Sequence, residues 1–104
     1  MSAPPYHLNR TPEFDEVVRD MQRKPGQNRM KLKKISKTLE LLRDYGPRHP
    51  GLNAHKYESL PEIIPGQPVW EVYVENHTAG AWRLFYCHGP GPDELTILAV
   101  GPHP

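Results

Sequence analysis

The chain of 104 residues has room for one domain, and its formal net charge is +1 with 37% hydrophobic residues. No apolar run approaches the roughly 20 residues of a membrane-spanning helix, and the N-terminus lacks the charged and apolar regions of a signal peptide. The single cysteine, Cys87, excludes an internal disulfide. We therefore expect one cytoplasmic domain over residues 1–104 that has no contact with a membrane.

The net charge conceals two oppositely charged segments. Residues 19–56 carry a net charge of +8, whereas residues 57–104 carry −5. A basic segment of this kind attracts polyanions. It is equally typical of a solvated helix face that is balanced by acids elsewhere, so charge alone leaves both interpretations open.

A short strand and a helix come first in chain order. Residues 6–9 alternate in polarity and predict a strand. Thr11 is a suitable helix cap, Pro12 suits the first helical position, and Phe14 opens an apolar stripe at three- and four-residue steps. This first helix is predicted to end at residues 24–26, a lysine followed by proline and glycine.

A second helix is predicted over residues 27–45. Apolar residues recur at helical spacing from Leu32 to Leu42, and Gly46 followed by Pro47 is a strong stop signal. A short turn between the two helices makes them a helical hairpin. The opposite face of the second helix is basic, with Arg29, Lys31, Lys33, Lys34 and Lys37.

The C-terminal half predicts an antiparallel meander. Residues 69–75, 81–88 and 94–100 are rich in β-branched and aromatic residues and are separated by short turns. Before them, residues 55–58 predict a short strand and residues 61–68 a proline-rich excursion. Strands that follow helices in this way predict an α+β fold with the meander packed on the helices.

Alternation of side chains gives the predicted sheet two chemically different faces. The face turned away from the helices is expected to present Glu71, Tyr73, Glu75 and Arg83 to solvent, with Tyr73 directly opposite Arg83. The face packed on the helices is expected to carry Trp70, Val72, Val74, Trp82 and Leu84.

Three strings in the last third of the chain form an apolar strand, an aromatic-Arg-apolar-aromatic strand and a final apolar strand. They are VWEVYV at 69–74, AWRLFY at 81–86 and LTILAV at 95–100, with His103 close behind. These strings and the order of elements resemble the RelE/ParE superfamily of bacterial toxins from toxin–antitoxin systems. The resemblance implies the fold of that superfamily, a short strand, a helical hairpin and a meander.

The resemblance also implies a toxin that a cognate antitoxin protein neutralises. Many members of the superfamily cut messenger RNA in the ribosome, whereas the ParE branch inhibits DNA gyrase without being a nuclease. We expect a ribosome-dependent mRNA endoribonuclease that inhibits translation, with the ribosome and mRNA as partners. The alternatives are a ParE-like gyrase inhibitor, which the low net charge favours, and an inactive toxin-fold protein that only binds a partner.

Metal-independent RNA cleavage needs a base for the 2′-hydroxyl, a cation for the phosphate charge and an acid for the leaving oxygen. Arg83 stands at the position of the superfamily's strand arginine, and its planar guanidinium suits phosphate. His103 lies where the YoeB-like branch keeps a catalytic histidine, and His55 precedes the meander; both are candidates for proton transfer. The alternatives are a cross-strand ion pair for Arg83, a solvated tail for His103 and a polar edge strand for His55.

The position of the general base departs from the YoeB-like pattern. The carboxylate of that branch aligns near Leu52 and Asn53, and neither is an acid. Glu71 is the candidate acid to substitute for it. This departure leaves the identity of the base open.

Other candidates concern RNA binding. Lys56 would hold phosphate, and Tyr73 would stack on a base. No metal or other cofactor is expected, because the histidines lack paired ligand spacing. Cys87 is not expected to be a nucleophile, since His88 points to the opposite face of its strand. The lysines of the second helix would form an electrostatic footprint on ribosomal RNA, namely Lys31, Lys33, Lys34 and Lys37.

Overall fold

The computed structural model describes residues 4–76 and 80–102, and within them two helices pack against a five-stranded sheet. The predicted α+β architecture is confirmed. A 3₁₀ turn, Pro50–Leu52, lies between the second helix and the second strand. The elements in chain order are β1 (His7–Arg10), α1 (Pro12–Gln22), α2 (Pro25–Asp44), β2 (His55–Lys56), β3 (Trp70–Tyr73), β4 (Trp82–His88) and β5 (Glu94–Pro102).

The first helix begins as its sequence predicts. The Thr11 hydroxyl accepts a hydrogen bond from the Phe14 amide at 3.3 Å, which satisfies one of the donors left free at a helix start. Phe14 and Met21 are its buried residues. They anchor α1 to the core that lies between the helices and the sheet.

The second helix begins two residues earlier than predicted. Pro25 occupies its first turn, where the fixed φ of proline suits a helix and its missing N–H is not needed. The Asn28 side chain donates hydrogen bonds to the carbonyls of Met21 at 2.9 Å and Lys24 at 3.2 Å. Proline and glycine after Lys24 therefore both end α1 and begin α2.

The end of α2 is fixed by Gly46, as the stop signal indicated. Its φ of +81° is accessible to glycine at little cost. The Tyr6 ring lies so close that a Cβ at position 46 would be 2.8 Å from Tyr6 Cε2. The Tyr6 amide also donates to the carbonyl of Arg43 at 2.8 Å, so the segment before β1 crosses the C-terminal end of α2.

The strand order is β1-β5-β4-β3-β2. The predicted meander is confirmed, because β4 pairs antiparallel with both β3 and β5. The first strand pairs in parallel with β5 and forms one edge, and β2 forms the other edge beside β3. Tyr73 lies opposite Arg83, as predicted, although residues 77–79 of the turn between them lie outside the described residues.

The two faces of the sheet are populated largely as the alternation predicts, but the outer face is not solvated. Glu71 is 1% exposed and Arg83 is 3% exposed, so the expectation that both face solvent was wrong. The segment after β2 helps to cover this face, since the Tyr57 ring packs 4.9 Å from the Phe85 ring. The helix-facing side carries the core residues Val72, Val74, Leu84, Tyr86, Leu95, Ile97 and Val100, with Trp70 and Trp82 packed against them.

Glu75 also departs from the expected outer face. Its Oε2 lies 3.8 Å from Nζ of Lys31 on α2, and its Oε1 accepts a hydrogen bond from the Trp82 amide at 2.8 Å. The regular alternation of β3 ends at Tyr73, so the side chain of Glu75 reaches towards the helices.

Candidate functional site

Three neighbouring strands bring four side chains together on the outer face. We call His55, Glu71, Tyr73 and Arg83 the polar cluster. His55 on β2 lies opposite Glu71 on β3, and Tyr73 lies opposite Arg83 on β4. Because residues opposite each other in an antiparallel pair share a face, the register alone places these groups side by side.

The closest contact in the cluster joins His55 to Glu71. Nε2 of His55 lies 2.7 Å from Oε1 of Glu71, and Nδ1 lies 2.8 Å from the carbonyl oxygen of Asn53. A carbonyl oxygen only accepts hydrogen bonds, so Nδ1 carries a hydrogen. Nε2 and Oε1 are thus within hydrogen-bonding distance, which makes His55 and Glu71 a hydrogen-bonded histidine–carboxylate pair.

Asn53 is held in the conformation that serves this contact. Its φ is +50° and its backbone is left-handed, which asparagine tolerates better than most residues. Asn53 stands near the position at which the resemblance to YoeB-like toxins predicts a carboxylate. The structure shows that its backbone carbonyl, rather than its side chain, contacts the candidate histidine.

Arg83 lies beneath the exposed part of the cluster. Its Nε is 4.0 Å from Oε1 of Glu71, and its guanidinium carbon is 4.1 Å from the centre of the Tyr73 ring. The buried carboxylate thus has a buried cation beside it, and the aromatic face adds a cation–π contact. Among the described residues, Arg83 Nε has no hydrogen-bond partner, while Nη1 donates to the Trp82 carbonyl at 3.3 Å.

Accessibility differs sharply within the polar cluster. The His55 side chain is 47% exposed, whereas those of Glu71 and Arg83 are almost fully buried. Tyr73 is half-buried, and its ring centre lies 5.8 Å from that of His55 in an edge-on arrangement. A ligand on this face would therefore meet His55 and Tyr73 first.

The structure separates the remaining candidates from the polar cluster. Lys56 follows His55 directly but points to the helix-facing side, where it lies opposite Trp70. Lys31 pairs with Glu75 and lies 5.1 Å above the Trp82 ring. The other lysines are exposed on α2, which packs on the helix-facing side, namely Lys33, Lys34 and Lys37. His103 lies outside the described residues.

A second concave feature lies on the helix-facing side, beyond the C-terminal end of α2. We call it the aromatic groove. It is bounded by Tyr6, by the segment that follows α2 and by the helix-facing residues of β3 and β4. The residues that matter below are Tyr45, Arg48, His49, Trp70, Tyr86 and His88.

Burial shifts the titration of groups near this groove. It lowers the pKa of His88 below the ordinary value of 6.5, so this imidazole is uncharged at neutral pH. Burial also raises the pKa of the Tyr86 hydroxyl and that of the Cys87 thiol. Cys87 therefore remains a protonated, weakly nucleophilic thiol in the middle of β4.

The described residues hold no group of three or more His, Cys, Asp or Glu side chains placed to bind a metal ion. Within the same ranges, neither helix has the length and apolar character needed to cross a membrane.

Solved structures of toxins share this fold. A chain of the archaeal RelE–RelB complex from Pyrococcus horikoshii OT3 superposes with a TM-score of 0.65 at 9% identity, over 94% of each chain. The YoeB dimer from Staphylococcus aureus gives 0.65 at 18% identity, over 96% of this chain and 99% of that one. A copper-bound mutant toxin from Helicobacter pylori gives 0.51 at 21% identity, over 94% of each.

Sequence comparison adds nothing to this likeness: no family model matches the chain, and no curated protein matches it significantly. The similarity to RelE and YoeB nevertheless covers nearly the whole chain. The resemblance to a RelE/YoeB-like toxin fold that the strand strings indicated is thus confirmed at the level of the fold.

Proposed function

We propose that this chain is the toxin of a type II toxin–antitoxin pair and a metal-independent endoribonuclease that cuts mRNA on the ribosome, in the cytoplasm. The RelE and YoeB structures support the toxin class through their shared fold. The observation that carries the enzymatic part is the 2.7 Å contact between Nε2 of His55 and Oε1 of Glu71. It provides a proton-transfer pair on an otherwise buried sheet face.

His55 performs the proton transfer in this proposal. Attack of a 2′-hydroxyl on the adjacent phosphorus requires that the hydroxyl lose its proton, and the His55–Glu71 pair offers an acceptor. Departure of the 5′-oxygen requires a proton, and the pair returns to it the proton taken from the 2′-hydroxyl, so that the pair ends in the state in which it began. The Asn53 carbonyl keeps the ring oriented through Nδ1. In this proposal Glu71, on β3, supplies the carboxylate that is missing near Leu52 and Asn53.

The role proposed for Arg83 changes with its burial. Its residue type and position predict direct binding of phosphate, but the residue is 3% exposed and is stacked against Tyr73. Its fixed positive charge instead lies 4.0 Å from Glu71 and offsets the charge of that carboxylate. We therefore assign Arg83 a positioning and electrostatic role beneath the catalytic pair. Tyr73 remains the proposed stacking platform for a base.

The shared fold and the basic surface of α2 support the proposed partners. The RelE–RelB complex supports a cognate antitoxin protein for this chain. The exposed lysines of α2 are proposed to contact ribosomal RNA, since they form a basic surface apart from the polar cluster.

A non-nuclease toxin is the second candidate, and one observation favours it. Glu71 and Arg83 are buried as an ion pair, which also serves as a purely structural network. A ParE-like toxin that inhibits DNA gyrase would need a binding surface and no proton-transfer pair. A toxin-fold protein that only binds its partner would likewise retain the pair for stability.

The test is inducible expression in a bacterial host, with growth and messenger RNA integrity read together. His55→Gln is the informative variant, because the side chain is half exposed and its loss spares the core. His7→Gln is the matched control, since His7 is an exposed histidine on the opposite edge strand.

Three outcomes separate the candidates. Growth arrest with cut transcripts, relieved by His55→Gln and not by His7→Gln, supports the endoribonuclease. Arrest with intact transcripts and damaged DNA excludes it and selects the gyrase-type toxin. No arrest from a folded, well-expressed protein excludes both and leaves the binding protein.

A further inference from the structure

We propose that the aromatic groove binds a base of single-stranded RNA, with Arg48 and Lys56 contacting the neighbouring phosphates. The inference rests on the proposed function in one respect, since it names a second subsite for the same nucleic acid. Its test measures binding alone and is independent of cleavage.

The first observation is the set of rings around the groove. Tyr45 is 62% exposed, and its ring centre lies 5.3 Å from that of His49. Trp70 and Tyr86 both meet His88 edge-on, at 6.5 and 5.8 Å between ring centres. The exposed ring of Tyr45 is suited to stacking on a base, and this contact tolerates any base sequence. The Tyr86 ring is fully buried and lies at the inner wall of the groove.

The second observation is a pair of polar atoms that the protein does not satisfy. The hydroxyl of Tyr86 and the indole Nε1 of Trp70 are buried and have no hydrogen-bond partner in the described part of the chain. Such atoms are rare in folded proteins because leaving them unpaired costs stability. Both residues border the groove, and both atoms donate hydrogen bonds. A base, whose edge carries acceptor oxygens and nitrogens, would pair them.

The third observation is charge. Of the described residues that border the groove, none is acidic, and Arg48 supplies a cation. Lys56 is exposed and lies opposite Trp70 on the groove side of the sheet. Aromatic rings interleaved with Lys and Arg are typical of surfaces that bind single strands.

The edge strand β2 connects this groove to the polar cluster. It is the last strand of the sheet, and its two residues point to opposite faces. His55 faces the polar cluster, and Lys56 faces the groove. A strand of RNA that crosses this edge would pass from the groove over Lys56 to His55, so that the groove holds one nucleotide while its neighbour is positioned for cleavage.

The experiment uses the two tryptophans of the chain as separate reporters. Trp82→Phe leaves Trp70, which borders the groove, and Trp70→Phe leaves Trp82, which lies four residues away from Tyr86 along β4. The probe is a short single-stranded RNA with 2′-O-methyl groups, which cannot be cleaved by its own 2′-oxygen. Fluorescence is titrated at fixed salt, because affinity for a polyanion varies with salt.

The expected result is saturable quenching of Trp70 and none of Trp82. In the Trp82→Phe background, Tyr45→Ala and Arg48→Ala should each raise the Kd about tenfold, the effect of losing roughly one stacking or charge contact. Arg19→Ala, which removes an exposed cation on α1, should leave the Kd unchanged. Tyr86→Phe should weaken binding while it retains the ring.

Equal quenching of both tryptophans, or a Kd that Tyr45→Ala does not change, would overturn the inference. If inorganic polyphosphate displaced the RNA and bound with equal affinity, the inference would also be overturned, because the groove would then recognise phosphate charge and make no contact with a base. Binding of an acidic peptide in place of RNA would assign the groove to a protein partner instead. If the protein is not toxic but binds RNA through Tyr45 and Arg48, the proposed function is wrong and the RNA-binding groove is supported. If the protein is toxic but its groove variants bind RNA as tightly as wild type, the groove proposal is wrong and the proposed function is unaffected.

Discussion

His55 and Glu71 face each other across the pairing of β2 with β3, with Nε2 of the histidine 2.7 Å from Oε1 of the glutamate. One partner is half exposed and the other is 1% exposed, so the contact connects the solvent to a buried charge. Nε of Arg83 lies 4.0 Å from the same carboxylate oxygen. Glu71 therefore contacts two basic side chains, an accessible histidine and a buried arginine.

Glu71 and Arg83 should be far more costly to separate than to remove together. Glu71→Gln leaves the Arg83 charge buried without its counter-charge, and we expect the free energy of unfolding to fall by about 3–5 kcal/mol. The double variant Glu71→Leu/Arg83→Met should recover most of that loss, because no uncompensated charge remains. Urea denaturation of the single and double variants measures the difference. Equal losses in both would show that the pair contributes through packing alone.

Tyr86→Phe should stabilise the protein. The hydroxyl of Tyr86 is buried without a hydrogen-bond partner among the described residues, and removing it relieves a desolvation penalty of about 1–3 kcal/mol. We expect the free energy of unfolding to rise by about 1 kcal/mol, since the ring itself still fills the core. Tyr45→Phe is the control, because Tyr45 is exposed and should change stability by less than about 0.5 kcal/mol. A destabilised Tyr86→Phe protein would reveal a partner for that hydroxyl.

Most of the helices and strands could be predicted from local sequence signals, because each signal lies within a few residues of the helix end or strand that it determines. Thr11 capped α1, Gly46 ended α2, and the alternation of β3 and β4 placed Tyr73 opposite Arg83. The parallel pairing of β1 with β5 was not predicted, since partners so far apart in sequence leave no local pattern. The fold class was accessible from sequence, and the long-range pairing was not.

The polar cluster was only partly predictable. His55, Tyr73 and Arg83 were identified from their residue types and from the resemblance. The burial of Arg83 and of its neighbour Glu71 was not predicted, because alternation along a strand does not show which other segments cover the face, as Tyr57 does where it packs on Phe85. The pairing of His55 with Glu71 was accessible in principle. Had β2 been aligned against β3, the register would have placed them opposite each other.

His88 should make stability fall in acid. Its pKa in the folded state lies below the ordinary value of 6.5 because burial disfavours the charged ring. As the pH falls below about 6.5, the unfolded chain binds a proton that the folded chain resists, so the folded state loses stability progressively until the folded pKa is passed. His88→Gln should reduce the loss of stability between pH 7 and pH 5 in urea denaturation. His7→Gln, at an exposed site, should leave it unchanged, and identical acid dependence in wild type and His88→Gln would contradict the burial effect.

Gly46→Ala and Gly26→Ala should change stability in opposite directions. At position 46 the backbone has φ of +81°, and an added Cβ would lie 2.8 Å from Cε2 of Tyr6, so both the conformation and the contact oppose a side chain. We expect a loss of about 1–3 kcal/mol and displacement of Tyr6 from the end of α2. At position 26, in the first turn of α2, a Cβ meets nothing within 4 Å, and alanine should stabilise by about 0.5–1 kcal/mol. Thermal unfolding of the two variants tests the pair. If Gly46→Ala did not change stability, the Tyr6 ring would be able to move aside without loss of stability. The wall of the groove that Tyr6 forms would then be adaptable rather than fixed.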